Sequence, residues 1–257
     1  MLNPTERFSD RVDAYIRYRP SYPHEVIELL QDECGLTRQS VVADIGSGPG
    51  NLTALLLPVA GAVYGVEPNG PMREGGERML SAFPNFVSVD GKAEATGLED
   101  RSVDLITAGQ AFHWFDRHAA KREFERILKP GGFVALIWND RETEATQFLV
   151  EYEKLLRELS SEYSKVNHSD IPEEEIERFL GPDVQCRGFR NVQEFDLEGL
   201  RGRVLSSSYV PLEGEGHEEL MRGVDRIFHK YEQDGHVEFL YNTEVFFAPF
   251  DGPASEA

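Results

Sequence analysis

Residues 41–139 alternate between short apolar runs and segments of helical character, and this alternation constrains the fold more than any other feature of the sequence. Near-continuous runs of β-branched and other apolar residues are typical of parallel strands that are buried on both faces. Parallel strands need crossover connections, so the pattern predicts a doubly wound α/β sheet with helices on both faces. The predicted strands of this part are 41–45, 62–67, 86–90, 103–109 and 132–139.

The rest of the chain adds helices and two more strands. Strands at 192–196 and 236–247 are predicted to pair as an antiparallel edge, which makes a seven-stranded, mostly parallel sheet with an antiparallel last strand. Predicted helices cover 22–35, 51–57, 71–83, 116–128, 142–161, 173–180, 197–206 and 215–233. We expect a lid segment and helix at 1–40, a ligand-binding core at 41–140, a helical cap with the final two strands at 141–250, and a disordered tail at 251–257.

A glycine turn follows the first predicted strand: Gly46, Gly48 and Gly50 open a helix just after Asp44. Open α/β sheets bind ligands at this position, outside the carboxyl ends of the strands. The dinucleotide fingerprint G-x-G-x-x-G would need a third glycine where this chain has Asn51. A carboxylate beside the turn repels a diphosphate and suits a ligand that carries an ammonium and a sulfonium group. The pattern therefore favours S-adenosylmethionine over NAD.

Glu67 closes the second predicted strand, 21 residues beyond Gly46. An acidic side chain at this position accepts hydrogen bonds from both ribose hydroxyls in dinucleotide folds. The alternative is a solvated glutamate at a strand end. With the glycine turn next to it, we interpret Glu67 as the ribose ligand.

With these and several further motifs, the sequence resembles the class I S-adenosylmethionine-dependent methyltransferases of the methyltransferase-11 kind, and within them the branch that is similar to trans-aconitate methyltransferase. The resemblance covers nearly the whole chain. It implies a Rossmann-like fold and methyl transfer to a small-molecule acceptor. The motifs that carry it are Tyr-Arg-Pro-x-Tyr-Pro at 18–23, DIGSGPGNL at 44–52, VEPN at 66–69, KAEATGL at 92–98, QAFHWFD at 110–116, LKPGG at 128–132, LSSSY at 205–209 and YNTEV at 241–245.

The resemblance also implies a role for each cofactor-binding position. Relatives often carry Asp directly before the Ala-Glu pair, where this chain has Lys92, so the adenine assignment rests on fewer residues. By this analogy the methionine end of the cofactor is held by Asp44, Gly46, Ser47 and Gly48 and bordered by Gln110, the ribose is held by Glu67, and the adenine is contacted by Pro68, Ala93 and Glu94.

Candidate acceptor-site residues lie in two segments. His113 follows the fourth predicted strand and is the candidate catalytic base. The alternative is a histidine that stabilises its loop or packs on Trp114. We expect Trp114 itself to form part of the pocket wall. In relatives the segment 18–23 covers the active site. Its Tyr18, Arg19 and Tyr22 are therefore candidate substrate-binding residues, because Arg pairs with a carboxylate in a bidentate manner and Tyr offers a wall with a polar tip. The alternative for Arg19 is a surface salt bridge.

Composition limits the possible partners. The 26 Lys and Arg against 46 Asp and Glu leave a formal net charge of −20, which repels phosphate backbones and anionic lipid. We therefore expect a small-molecule partner and neither nucleic acid nor membrane. The N-terminus has no apolar signal region, which indicates the cytoplasm. Cys34 and Cys186 are interpreted as buried, reduced thiols, and no spacing of His or Cys predicts a metal site.

Three other function classes stay open at this point. A nucleic-acid methyltransferase is disfavoured by the charge and by Gly109-Gln110-Ala111-Phe112, where base-amine methylation would need an Asn/Asp-Pro-Pro-aromatic motif. A nicotinamide-dependent oxidoreductase is disfavoured by Asn51 and Asp44. A non-catalytic protein that binds S-adenosylmethionine would share the same cofactor motifs, so only turnover distinguishes it from an enzyme.

Overall fold

The computed structural model places seven strands in a single sheet. It describes residues 12–159, 163, 171–207, 210–211 and 213–250, and the predicted tail 251–257 lies outside them. The strands are β1 (Val41–Ile45), β2 (Ala62–Val66), β3 (Phe86–Val89), β4 (Val103–Gly109), β5 (Leu128–Arg141), β6 (Gln185–Phe195) and β7 (Val237–Pro249). The helices are α1 (Val12–Tyr18), α2 (His24–Cys34), α3 (Thr53–Leu56), α4 (Gly70–Met79), α5 (Arg117–Ile127), α6 (Gln147–Leu159), α7 (Glu173–Leu180), α8 (Leu197–Leu205) and α9 (Glu215–Tyr231).

The sheet has the order β3-β2-β1-β4-β5-β7-β6. Strands β1 to β5 pair in parallel, whereas β7 is antiparallel to both β5 and β6. This confirms the predicted seven-stranded, mostly parallel sheet with an antiparallel last strand. The carboxyl ends of the parallel strands lie at one edge of the sheet, which is the edge where the sequence predicts ligand binding.

Helices cover both faces of the sheet, so that its strands are buried. On one face α2, α3 and the end of α4 pack on residues such as Val42, Val63 and Leu105. On the other face α5 and α7 pack on residues such as Ala43, Ile45 and Val134. A third apolar cluster joins α6, α8 and α9 to the first residues of β7, where Phe239 is fully buried. This third cluster is the core of the predicted helical cap.

Local sequence signals explain where several helices begin and end. Asn69 caps α4 by accepting from the Met72 N–H at 3.0 Å, and Asp116 caps α5 by accepting from the Ala119 N–H at 3.1 Å. Gly35 ends α2 in the left-handed conformation, with φ of 68°. These caps orient α4 and α5, whose first residues lie near the ligand edge.

The structure differs from the sequence predictions at several boundaries. Helix α1 was not predicted. Strand β6 starts at Gln185 and not at 192, because its first residues are exposed on the sheet edge and therefore show no apolar alternation. Strand β5 starts at Leu128, which pairs with Val103 of β4, and the predicted Lys-Pro-Gly-Gly turn lies at the register shift before Phe133 pairs with Leu105. Helix α6 begins five residues later than predicted.

One prediction about the cysteines was wrong. Cys34 is buried as expected, but Cys186 is exposed on β6, the edge strand of the described sheet. Both thiols are free.

Candidate functional site

The glycine turn lies at the carboxyl ends of β1 and β2. Gly46, Gly48 and Gly50 all have positive φ values, of 68°, 56° and 92°, which side chains with a Cβ rarely adopt. The N–H groups of Gly46 and Ser47 both donate to the Val66 carbonyl, at 2.8 and 3.2 Å, and so join the turn to the end of β2. The turn is thus held open by backbone hydrogen bonds and lined by main chain.

Glu67 follows β2 and points at this turn. Its Oε2 accepts from the Gly48 N–H at 2.9 Å, and its Oε1 accepts from the Asn69 N–H at 2.8 Å. Each carboxylate oxygen keeps a further lone pair for another donor. The side chain is therefore oriented in advance beside the glycine turn, at the position predicted for ribose binding. Burial raises the pKa of Glu67, against the effect of the two N–H donors.

Asp44 lies deeper than the sequence analysis assumed. Its carboxylate is 1% exposed and accepts from the hydroxyls of Thr53, at 2.6 Å, and Thr107, at 3.0 Å. Burial raises the pKa of this carboxyl group to about 6, and the nearby Glu67 adds to the effect. Asp44 thus supports the turn from below, and its direct contact with a cofactor stays a prediction.

The segment after β3 is fastened to α5. Ala93 is buried, and the Oε1 of Glu94 accepts from the Asp116 N–H at 2.8 Å, which connects the segment to the cap of α5. The Oε1 of Glu123 accepts from both the N–H and the hydroxyl of Thr96, at 2.8 and 2.6 Å. Ala93 and Glu94, two of the three residues predicted at the adenine, are therefore held at the ligand edge by the hydrogen bonds of Glu94 and Glu123. Pro68 is partly buried between Glu67 and Asn69.

The segment after β4 contacts the glycine turn. A Cβ on Gly46 would lie 2.6 Å from the Cβ of Ala111, so the two loops touch. Gln110 has φ of 56°, an uncommon conformation for a residue with a side chain, and its Nε2 donates to the Asn139 carbonyl at 3.1 Å. This strained residue lies at the place predicted to border the methionine end of the cofactor.

His113 and Trp114 lie on a short 3-10 helix, Phe112–Trp114. Their rings are 4.8 Å apart at an angle of 47°, as the alternative interpretation of His113 proposed. Trp114 is 39% exposed, whereas Phe112 is fully buried. An exposed indole beside the ligand edge fits the predicted pocket wall, and the role of His113 as a base stays a prediction.

The three candidate residues of the lid segment, residues 18–23, lie in two different places, the end of β4 and the surface of α8. The Tyr22 hydroxyl packs against Gly109, in the space that a side chain there would fill, at the end of β4. The Tyr18 ring packs instead on Gly202 of α8, and the Nη2 of Arg19 donates to the Ser206 carbonyl at 3.5 Å. The structure thus brings Tyr22 to the ligand edge and places Tyr18 and Arg19 against the cap.

Several polar residues of the site were missed in the sequence. Thr53 and Thr107 hold Asp44, and Asn139 contacts Gln110 and the lid segment. The only sequence signal for these three residues is that each is a polar residue within an apolar stretch. Of the predicted LSSSY segment, Ser208 and Tyr209 lie outside the described residues.

Two further properties of the described residues concern membranes and metal ions. Among them, no helix combines the length and hydropathy that a membrane crossing requires. Within the same ranges, no group of three or more His, Cys, Asp or Glu side chains is arranged to hold a metal ion.

Known proteins that resemble this chain in sequence include methyltransferases. An uncharacterized methyltransferase of Schizosaccharomyces pombe is 37% identical over 136 residues, which are 52% of this chain and 53% of the relative. The trans-aconitate 2-methyltransferase of Rhizobium rhizogenes is 32% identical over 143 residues, 53% of each chain. The chain thus matches about half the length of the curated relatives.

A solved structure extends the likeness of the fold to most of the chain. A proposed type II methyltransferase from Anaeromyxobacter dehalogenans superimposes with a TM-score of 0.65 at 20% identity, over 92% of this chain and all of the other. Residues 43–136 match the family Methyltransf_11, whose description is methyltransferase domain. This range contains the glycine turn, Glu67, Glu94 and His113. Over residues 43–136 the chain is therefore similar to the methyltransferase domains of the Methyltransf_11 family.

Proposed function

We propose that the protein transfers the methyl group of S-adenosylmethionine to a small-molecule acceptor. The observation that carries this proposal is the Glu67 carboxylate, which is fixed on the Gly48 N–H at the carboxyl edge of the sheet. In this position Glu67 would accept from the ribose hydroxyls beside a turn of main-chain atoms. The methyltransferase relatives over the same residues support the proposal.

The electrostatics of the turn favour a cationic ligand. Asp44 and Glu67 are both buried, and each has a raised pKa. A sulfonium and an ammonium would stabilise the charged forms of these carboxylates, whereas a diphosphate would be repelled by them. S-adenosylmethionine therefore matches the charge of this site better than NAD does.

The sheet order also argues against a dinucleotide oxidoreductase. Dinucleotide-binding folds have the parallel order 3-2-1-4-5-6. Here the antiparallel β7 lies between β5 and β6, and Asn51 occupies the place of the third fingerprint glycine. Both differences separate the chain from that class.

Under this proposal the chain does its work by holding and orienting the two reactants. When bound, S-adenosylmethionine supplies an electrophilic methyl carbon on its sulfonium. Orienting reactants is worth up to about 7–11 kcal/mol in model systems. Glu67 and Glu94 would hold the adenosine, and Gln110 would border the methionine. Tyr22 and Trp114 would line the acceptor side, where His113 takes a proton only from an acceptor that must lose one.

We propose a carboxylic acid as the acceptor class. The trans-aconitate 2-methyltransferase among the relatives acts on such a compound, and a carboxylate is already ionised and needs no base. Arg19, the candidate partner of a carboxylate, lies against the cap, where it donates to the carbonyl of Ser206 just after α8. A small acceptor in the cytoplasm is also consistent with the net charge of −20, which disfavours nucleic acid.

Calorimetry and methyl transfer test the proposal together. Titration with S-adenosylhomocysteine is expected to give saturable 1:1 binding, and titration with NAD none. Radiolabelled S-adenosylmethionine is then incubated with a panel of small carboxylic acids, amines and phenols, and label is expected in the acids. Binding of NAD in place of S-adenosylhomocysteine would contradict the proposal, and cofactor binding without transfer to any class would favour the non-catalytic alternative.

A further inference from the structure

Three polar side chains meet where Asn139, near the end of β5, lies beside the middle of β7 and β6, next to the apolar core of the sheet. The Oδ1 of Asn139 accepts from the Thr243 hydroxyl at 2.5 Å and from the Asn191 Nδ2 at 3.1 Å. Asn139 is 9% exposed and Thr243 is fully buried. A buried polar group lowers the stability of the fold unless it is hydrogen-bonded, so the hydrogen bonds of these side chains stabilise the arrangement in which they form.

The donors of this group reach the lid segment, residues 18–23. The Nδ2 atoms of Asn191 and Asn139 both donate to the Ser21 carbonyl, at 2.8 and 3.2 Å. The Nε2 of Gln193 donates to the Tyr18 carbonyl at 3.2 Å. Both acceptors, the Ser21 and Tyr18 carbonyls, are main-chain oxygens on the lid, so the amides fix its backbone and not one particular side chain.

The same group is joined to the predicted cofactor side of the site. The Nε2 of Gln110 donates to the carbonyl of Asn139, and the Gln110 N–H donates to the Ile137 carbonyl. The lid also contacts the end of β4, because the Tyr22 hydroxyl packs against Gly109, which precedes Gln110 in the chain. Asn139 therefore contacts the lid through its side chain and the methionine end of the site through its main chain.

We propose that Asn139, Asn191 and Gln193 are positioning residues that hold the lid segment over the end of β4 and couple its closure to occupation of the cofactor site. The inference rests on the proposed function for the identity of the cofactor. If the lid opens, the buried amide of Asn139 loses its partner on Ser21, so the closed arrangement is favoured. Closure in turn keeps Tyr22 against Gly109, where cofactor and acceptor would meet.

Limited proteolysis reads the position of the lid directly. Trypsin cleaves after Arg17, whereas the Arg19–Pro20 bond resists it, so cleavage at Arg17 reports on opening of this segment. Cleavage of a transiently open form follows the population of that form. The double variant Asn191→Ala, Gln193→Ala loses the two hydrogen bonds of these side chains to the lid, and this is expected to accelerate cleavage at Arg17 by about tenfold. Fragments are identified by mass spectrometry.

Matched variants separate positioning from general damage. Gln185→Ala removes an exposed amide from the same strand, one that contacts only Arg187 among its recorded hydrogen bonds, and is expected to be cleaved at the parent rate. Asn191→Gln keeps an amide donor and is expected to recover most of the protection. If the double variant fails to fold, as judged by thermal unfolding, the comparison is made with Asn191→Asp, which keeps the shape and loses the donor.

S-adenosylhomocysteine is the probe for coupling to the cofactor site. It is expected to slow cleavage of the parent at Arg17 severalfold and that of the double variant less than twofold. Equal cleavage of parent, double variant and Asn191→Asp, within a factor of two, would overturn the inference. Absence of S-adenosylhomocysteine binding by the parent would instead contradict the proposed function, while the cleavage rates without cofactor would still test the three amides.

Discussion

Asp44 and Glu67 are both acidic residues at strand ends, yet their surroundings assign them different tasks. Glu67 accepts main-chain N–H donors at the surface of the glycine turn, whereas Asp44 is enclosed by two threonine hydroxyls beneath it. A buried carboxylate without a cation beside it lowers stability when it ionises. Under the proposed function, the cationic cofactor would offset this cost.

Replacement of Asp44 by Asn should change the pH dependence of stability. The folded-state pKa of Asp44 is about 6, above its ordinary value of 3.8, so its favourable protonated form is fully present below about pH 4 and is lost as the pH rises through 6. The free energy of unfolding of Asp44→Asn, relative to the parent, should therefore increase between pH 4 and 7, by about 2 kcal/mol. Urea denaturation at several pH values measures this difference, and a flat difference would mean that Asp44 is ionised at little cost.

Replacement of Glu67 by Gln should weaken the cofactor. The amide would present a donor to the N–H of Gly48 or Asn69, so the side chain can no longer satisfy both and also accept from ribose. Loss of a charge-assisted hydrogen bond is worth about 1–3 kcal/mol, or roughly a five- to 150-fold weaker binding of S-adenosylhomocysteine. Calorimetry checks this, with Glu74→Gln on the exposed side of α4 as the control, and equal affinity in both variants would show that the ribose lies elsewhere.

At the scale of elements, the segment after β3 depends on α5 for its position. Glu123 of α5 binds Thr96 through one oxygen and is held by Arg126, whose guanidinium donates to both carboxylate oxygens at 2.8 and 2.7 Å. The hydrogen bonds from Arg126 and Thr96 lower the pKa of Glu123 to about 2. The position of the loop that carries Ala93 and Glu94 therefore depends on α5.

Glu123→Gln should lower stability in a pH-dependent manner. The folded-state pKa lies below the ordinary value of 4.5, so the contribution of Glu123 is present above about pH 4.5 and is lost as the pH falls through 2. We expect a loss of about 1–3 kcal/mol in the free energy of unfolding at pH 7, and a smaller loss at pH 3. Denaturant titrations at both pH values measure it. Glu125→Gln on the same helix serves as the control, and an equal loss at both pH values would exclude the ionic contribution.

At the scale of the whole molecule, charge repulsion opposes the compact fold. A formal net charge of −20 on 257 residues leaves many carboxylates without a cation of their own. Ion pairs such as Arg201 with Asp225 and Lys230 with Glu151 offset part of this repulsion, but they are partly exposed and each contributes little.

Added salt should therefore stabilise the protein. Between about 0.02 and 0.3 M NaCl the Debye length falls from roughly 20 Å to 6 Å, which screens long-range repulsion more than contacts within ion pairs. We expect the thermal midpoint at pH 7 to rise by a few degrees, roughly 1 kcal/mol in stability. Calorimetric scans at matched osmolality, with sucrose as the uncharged control, test this. A midpoint that falls with salt would show that ion pairs outweigh the repulsion.

Prediction from the sequence succeeded where the signal is local. The five parallel strands and the glycine turn each depend on a few consecutive residues, because strand burial and positive φ are local requirements. Prediction failed for α1 and for the first half of β6. Strand β6 is an edge strand whose polar residues become ordered only by pairing with β7, which lies about 50 residues further along the chain.

The sequence by itself determined the layered α/β fold and the place of the ligand edge, since alternating strands and helices with a glycine turn after β1 allow few other arrangements. Only the tertiary structure decided what each polar side chain does there. It placed Asp44 beneath the turn, moved Tyr18 away from Tyr22, and brought Asn139, Asn191 and Gln193 onto the lid. The physical reason is that a hydrogen bond depends on which groups meet across elements far apart in the chain, and no local periodicity encodes that meeting.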